Sequence, residues 1–187
     1  GLDITLMDSP GLDGDKRATR ATLEEASNAD LLLWVSQANQ PAKALDKSLF
    51  DEWDAYFKEN LKRKKPPVVL VTTHNDLLKP KDSWQPPYDL TDMNNKKVQS
   101  IVEASSYTHD ALGLPEDTPV LPIALKPGEA PYNIEALREL LLASSRDARA
   151  AQLNRERLDA ADSVASVKKS MSQAAGLVTK GVKLIFR

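Results

Sequence analysis

Pro67-Val68-Val69-Leu70-Val71-Thr72-Thr73-His74-Asn75-Asp76 is the stretch whose reading decides the fold. Val68, Val69, Val71, Thr72 and Thr73 are β-branched, and no charge interrupts the run. A short, near-continuous apolar run of this kind is a strand buried on both faces, the pattern of a parallel sheet. Pro66 and Pro67 end any helix in front of it. His74, Asn75 and Asp76 follow at its carboxyl end, where open α/β sheets bind their ligands.

Working upstream, Asp30-Leu-Leu-Leu-Trp-Val-Ser36 is a second such run and reads as another strand covered on both faces. Between the two, residues 43–61 fit a helix, with Leu45, Leu49, Trp53 and Phe57 repeating every four residues and a basic run at 62–65 beside its carboxyl end. Residues 16–28 fit an earlier helix with Ala18, Ala21, Leu23 and Ala26 on offer for one face. Trp34 and Trp53 are read as core residues. Working downstream, residues 79–92 hold Trp84, Pro86 and Pro87 without any period, a long loop. Residues 95–112 read as a helix. Thr118-Pro-Val-Leu-Pro-Ile-Ala124 reads as a short strand near a sheet edge because of its prolines. Asn133 can cap a further helix with Glu135 in its first turn and Leu137, Leu140 and Leu141 facing inward. Strands alternating with helices predict an α/β fold, a partial doubly wound parallel sheet. No proline follows Pro131, and Val164, Val167, Met171, Ala174, Val178, Val182 and Ile185 recur at threes and fours, so a helical extension is expected over residues 143–187, after a domain over residues 1–142.

At the amino end, Leu2-Asp-Ile-Thr-Leu-Met7 reads as one more short buried strand, stopped by Asp8-Ser9-Pro10-Gly11. Asp8 can hold a magnesium ion, usually through water, and Gly11 lets a backbone N–H approach a phosphate. The competing reading is an exposed acid on a Pro-Gly turn. The sequence starts inside this run, and Gly1 is not a natural start, so the chain reads as the later part of a longer protein.

The 187 residues are enough for one domain with a proper core, with 41% apolar and 28% charged residues. A net charge of −2 implies no global attraction to nucleic acid or membrane, and the absence of Cys excludes disulfides and thiolate metal sites. The charge is uneven, however. Residues 163–187 carry Lys168, Lys169, Lys180, Lys183 and Arg187 and no acid, a local +5 that leaves −7 on the remainder. No apolar run reaches the roughly 18 residues of a spanning helix. His109, flanked by polar residues, reads as a surface histidine.

Three predicted strand ends carry chemistry together: Asp8-Ser-Pro-Gly11, Thr73-His-Asn-Asp76 and Ile123-Ala-Leu-Lys126. An Asp carboxylate can accept two hydrogen bonds at once from the N1–H and N2–H₂ of guanine, which adenine cannot offer. A flat side chain such as His74 can cover one face of that base, and a small residue such as Ala124 lets its backbone N–H reach a base carbonyl. In order and spacing these segments resemble the translation-factor class of P-loop GTPases, most closely Era-type and related bacterial GTPases. The family's third, fourth and fifth G motifs read Asp-x-x-Gly, Asn/Thr-Lys-x-Asp and Ser-Ala-Lys/Leu. Asp8-Ser-Pro-Gly11 matches the third. Thr73-His-Asn-Asp76 matches the fourth with His74 where Lys is commoner. Ile123-Ala-Leu-Lys126 matches the fifth with Ile123 replacing Ser. Ala29-Asp30 and Asn133-Ile-Glu-Ala-Leu137 look like further landmarks, so the resemblance covers residues 2–142.

The resemblance implies a GTP- and magnesium-binding domain that hydrolyses GTP as a molecular switch in the cytoplasm, peripheral at a membrane if the extension binds one. Asp8 would act on magnesium through water and Gly11 on the γ-phosphate. Thr73 would brace the base and phosphate loops, His74 would stack on guanine, Asp76 would select it, and Ala124 and Leu125 would close the pocket. The ribosome, an RNA or an anionic membrane surface would be the partner, the last two through the basic stretch 168–187. The departures are as informative. The family's Gly-x-x-x-x-Gly-Lys-Ser/Thr loop is absent, and Gly176-Leu-Val-Thr-Lys-Gly181 is a decoy, with Val182 in the Lys place and helical surroundings. The phosphate loop, the strand before it and the switch I Thr would all precede Gly1, so the chain alone is expected to be inactive. Leu12 stands where Ras-type members carry the water-orienting Gln. Two rival classes fit less of the pattern: a ParA-like Walker ATPase, and a degenerate G domain kept as an interaction module.

Overall fold

The structure, a computed structural model, describes the backbone of residues 5–9 and 16–185 and the side chains of residues 5–9 and 17–169. In chain order the elements are α1 (Lys16–Asn28), β1 (Leu32–Gln37), α2 (Ala44–Glu59), β2 (Val68–Thr73), α3 (Lys96–Leu112), β3 (Val120–Pro122) and α4 (Ile134–Ile185). The strands form one sheet in the order β1-β2-β3, parallel throughout, with Trp34 beside Leu70 and Leu70 beside Val120. The protein is therefore an α/β fold on a parallel sheet, as the alternation of apolar runs with helical periods predicts.

β2 lies in the middle, with Val69, Leu70, Val71 and Thr72 all buried. On one face Trp34 and Leu70 meet Leu49, Phe50, Trp53 and Phe57 of α2, with Leu112 and Leu114 alongside. The aromatic rings of this core touch edge-on or tilted, with centroids 5.4 Å apart for Trp34 and Phe50 and 5.2 Å for Trp53 and Phe57. Trp53 is fully enclosed, and its Nε1–H donates to the Ala26 carbonyl at 3.1 Å, fastening α2 to the end of α1. On the other face Val69, Val71 and Ile123 pack on Ile134, Leu137 and Leu140 at the start of α4.

Three expectations are corrected. First, β1 is covered only in part on its second face: Trp34 and Ser36 point into the core and Leu33 packs against the Val69 and Val71 cluster, but Val35 is 59% exposed. The apolar start of α4 reaches the β2 and β3 side of that face, and no described element shields Val35. Second, the predicted strand over residues 2–7 is not a strand where it is described. Residues 5–9 are irregular and exposed, Leu6 and Met7 included, while the rest of that segment with Pro10 and Gly11 lies outside the described residues. A strand persists only where a neighbour takes up its N–H and C=O groups, and residues 5–9 join no ladder of the sheet. Third, Asn133 does not cap α4 with its side chain. It adopts a left-handed φ of 61°, and its Nδ2 donates to the Pro122 carbonyl at 2.9 Å, so the amide holds the edge strand instead.

α4 runs 52 residues without a break, about 78 Å at 1.5 Å per residue, and the Gly176–Gly181 spacing sits inside it. The helix passes residue 142 and docks again further on. Ala151 is buried, Asn154 accepts from the Lys64 N–H at 2.7 Å, and Arg155 pairs with Asp30 at 2.6 Å. From residue 161 to 169 every side chain faces solvent, Val164 and Val167 among them. No described helix is long and apolar enough to cross a membrane.

Asp54 on α2 is held by Lys58 and Lys65, and Lys65 also lies 4.8 Å over the Trp53 ring. Burial pushes the Asp54 carboxyl up, but the hydrogen bonds from Lys58 and Lys65 outweigh it and hold the group below its ordinary 3.8. A carboxyl depressed on folding contributes stability above its unfolded pKa and loses it as pH falls through the folded value. Asp54→Asn is therefore expected to lower stability by about 1 kcal/mol at pH 7. The gap between the two proteins should close as pH falls below about 4, read by urea denaturation across a pH series.

Candidate functional site at the carboxyl ends of the strands

β2 ends at Thr73, and the next residue turns the chain. His74 takes a left-handed φ of 58°, a region that His enters more readily than most residues with a Cβ. Its Nδ1 lies 2.9 Å from the Thr73 hydroxyl. A single 3₁₀ turn over Asn75–Leu77 follows, sending Asn75 inward and leaving His74 exposed and Asp76 half-buried.

Asn75 is completely buried, and its Nδ2 donates to the Thr72 carbonyl at 2.7 Å and the Ile123 carbonyl at 2.9 Å. One side-chain amide thus continues the β2–β3 pairing past the end of the ladder. The bridge between these strand ends is made by Asn75, while the Thr73 hydroxyl is engaged with His74. Asn75 is inconspicuous in the sequence because it occupies the variable place of the motif. The signal that could have found it is chemical: of the residues between Thr73 and Leu77, only Asn carries two neutral N–H donors on a short side chain.

Asp76 accepts no side-chain hydrogen bond among the described residues, whereas its backbone carbonyl is held from below. Lys97, 1% exposed in the first turn of α3, donates from Nζ to the Asp76 carbonyl at 2.9 Å, the Leu78 carbonyl at 2.6 Å and the Pro80 carbonyl at 3.3 Å. Asn95 caps α3 in front of it, its Oδ1 accepting from the Lys97 N–H at 2.9 Å. The ammonium also sits 5.3 Å over the Trp84 ring. Burial lowers the Lys97 pKa, the Asp76 charge opposes that shift, and Lys126 adds to it. Trp84, Tyr132, Ile101 and Ala124 form a separate small core here, with Tyr88 packed on its edge. The loop expected over residues 79–92 is therefore folded onto this core.

Ala124 is buried and pairs in an isolated antiparallel bridge with Tyr132. The Tyr132 N–H donates to the Ala124 carbonyl at 2.9 Å, and the Ala124 N–H donates back at 3.4 Å. Leu125 is 65% exposed beyond it. Thr73, His74 and Asp76 thus share one strand-end loop, and Ala124 and Leu125 occupy the adjacent one, joined to it by Asn75. At the end of β1 a second buried ammonium, Lys43, donates to the Ser36 hydroxyl and the Gln37 carbonyl, both at 2.7 Å. Burial lowers its pKa, with Asp46 opposing.

The metal half is different. Asp8 is exposed in the irregular segment, and Gly11 lies outside the described residues. No cluster of three His, Asp or Glu side chains is found among the described residues. His109, read as a surface residue, is largely enclosed, and its Nε2 lies 2.9 Å from the Pro115 carbonyl. An open groove of about 420 Å³ runs between α3 and β3, lined by Ile101, Ser105, His109, Val120 and Pro122, and none of the strand-end residues above lines it. Comparison with known proteins gives no matching family model, no matching curated protein and no matching solved structure.

The Asn75 bridge generates a paired expectation. Asn75→Ala removes both amide hydrogen bonds, leaving the Thr72 carbonyl with only the Ile123 N–H, and should cost about 2 kcal/mol. Asn75→Asp sets a carboxylate against the same two carbonyls and should cost more, about 3–5 kcal/mol at pH 7, easing as acid protonates it. Urea denaturation midpoints give the order directly.

Proposed function

We propose that this chain is the base-recognising part of a guanine-nucleotide-binding domain of the P-loop GTPase type, acting as a GTP-dependent switch in the whole protein. The observation that carries the reading is Asp76: a half-buried carboxylate without a protein hydrogen-bond partner among the described residues, at the carboxyl end of the central strand and next to the Ala124 loop. On this reading Asp76 accepts from guanine N1–H and N2–H₂, the exposed His74 ring covers one face of the base, and Leu125 closes its edge. The Ala124 N–H reaches the base oxygen by leaving its long contact with Tyr132. Thr73 holds the His74 ring through its hydroxyl. The phosphate half, including Asp8 and Gly11, would be completed by the phosphate-binding loop that the resemblance implies. The open Val35 face of β1 is the place where a further element of such a domain would pack. Bound magnesium would supply charge neutralisation at the phosphates. The basic stretch 168–187 would meet an anionic membrane surface or RNA.

A second reading, an interaction module without nucleotide, is favoured by the Ala124 N–H already having an acceptor in Tyr132. Nucleotide titrations separate the two. With the upstream residues present, the protein should bind GDP, and Asp76→Asn should weaken GDP roughly 10- to 100-fold while improving xanthosine diphosphate, because donor and acceptor are exchanged. GDP affinity unchanged by the substitution removes Asp76 from base recognition. The 187-residue chain by itself should show no submicromolar GDP binding by calorimetry, since catalysis and tight binding in this class rest on the phosphate contacts.

A further inference from the structure

Lys97 is the least exposed charged residue among the described side chains, and nothing in the G motifs accounts for it. Burying a cation is unfavourable unless its donors are all used. Here all three N–H donors of the ammonium find neutral carbonyls, and these belong to alternate residues of one segment: Asp76, Leu78 and Pro80. The nitrogen also lies over the face of Trp84, 5.3 Å from the ring centroid. The segment they clamp begins at the residue whose carboxylate is offered to solvent. No regular ladder holds residues 78–80, so the ammonium replaces the hydrogen bonds a sheet or helix would supply. Lys97 itself is fixed at the start of α3 by the Asn95 cap, so the clamp joins an irregular segment to a regular one.

We propose that Lys97 is the positioning residue of the base-recognition loop: its buried ammonium sets the backbone that aims the Asp76 carboxylate, and through it the selectivity for a purine bearing a 2-amino group. This rests on the assignment of Asp76 to guanine made above. Lys97 does not touch the base. It acts by holding the Asp76 carbonyl on one side of the peptide chain so that the side chain projects on the other. Loss of the ammonium frees residues 76–80 and spoils a two-point contact more than a one-point contact, because both N1–H and N2–H₂ must meet one carboxylate.

Two measurements test this on the protein with its upstream residues, comparing wild type, Lys97→Met and Lys97→Gln. Amide hydrogen exchange without nucleotide should quicken over residues 76–82 in Lys97→Met and stay slow in β2 and α2, with Lys97→Gln, which keeps two N–H donors, in between. The affinity ratio of GDP to inosine diphosphate, which lacks the 2-amino group, should fall about tenfold in Lys97→Met and less in Lys97→Gln. A general weakening of the fold would lower both affinities and leave their ratio alone. Unchanged exchange over 76–82, or an unchanged ratio beside an Asp76→Asn variant that does switch to xanthosine diphosphate, overturns the role of Lys97 while leaving the guanine assignment standing. Exchange that quickens as expected while Asp76→Asn leaves base choice untouched overturns the guanine assignment and keeps the clamp. Loss of protection in β2 for both Lys97 variants would make Lys97 a residue of the core and overturn the positioning role.

Discussion

β2 is buried on both faces, and a strand in that position cannot satisfy its backbone with water. Its N–H and C=O groups must be taken up on both edges, so β1 and β3 are drawn to either side of it. Each is reached from β2 or leads to it through a helix, and the crossover makes all three parallel. Every strand then ends at the same edge of the sheet. That is why the loop of His74 and Asp76 and the loop of Ala124, far apart in the chain, are neighbours.

The same demand for polar partners continues beyond the ladder. Asn75 and Lys97 meet it with side chains in place of strands. The Asn75 amide, in the turn after β2, ties the Thr72 carbonyl to that of Ile123, and the Lys97 ammonium gathers the carbonyls of Asp76, Leu78 and Pro80. A surface loop would leave those carbonyls to water. Here Leu78 packs against the core of Trp84 and Tyr132, and the Lys97 ammonium under the Trp84 ring supplies the donors from inside. A loop built this way has few soft degrees of freedom, which suits a segment that must present one carboxylate in one direction.

α4 closes the opposite side of the molecule. Its first turns cover Val69, Val71 and Ile123, and its middle is fixed by Asn154 and Arg155 to the turns before β1 and β2. These turns lie at the amino ends of the strands, away from the candidate site. The helix leaves the domain there with exposed valines and, in the sequence, five positive charges without an acid. The sheet itself stays open at β1, where Val35 meets solvent.

The order and type of the helices and of the three paired strands were legible in the sequence, because burial on two faces writes an unbroken apolar run and burial on one face of a helix writes a period of three and four. The carboxyl-end location of Thr73, His74, Asp76 and Ala124 followed from the same alternation. The segment around residues 2–7 misled for a physical reason: apolar, β-branched composition states only that a strand would be favourable, whereas a strand exists when a neighbour supplies its hydrogen bonds, and residues 5–9 join no such ladder. Val35 misled likewise, since a hydrophobic residue does not reveal whether anything lies over it. Asn75 and Lys97 were silent in the sequence. An Asn in a turn and a Lys near a helix start are ordinary surface residues, and only the tertiary structure, by bringing carbonyls from distant or looping chain around their N–H groups, turned one into a bridge and the other into a clamp.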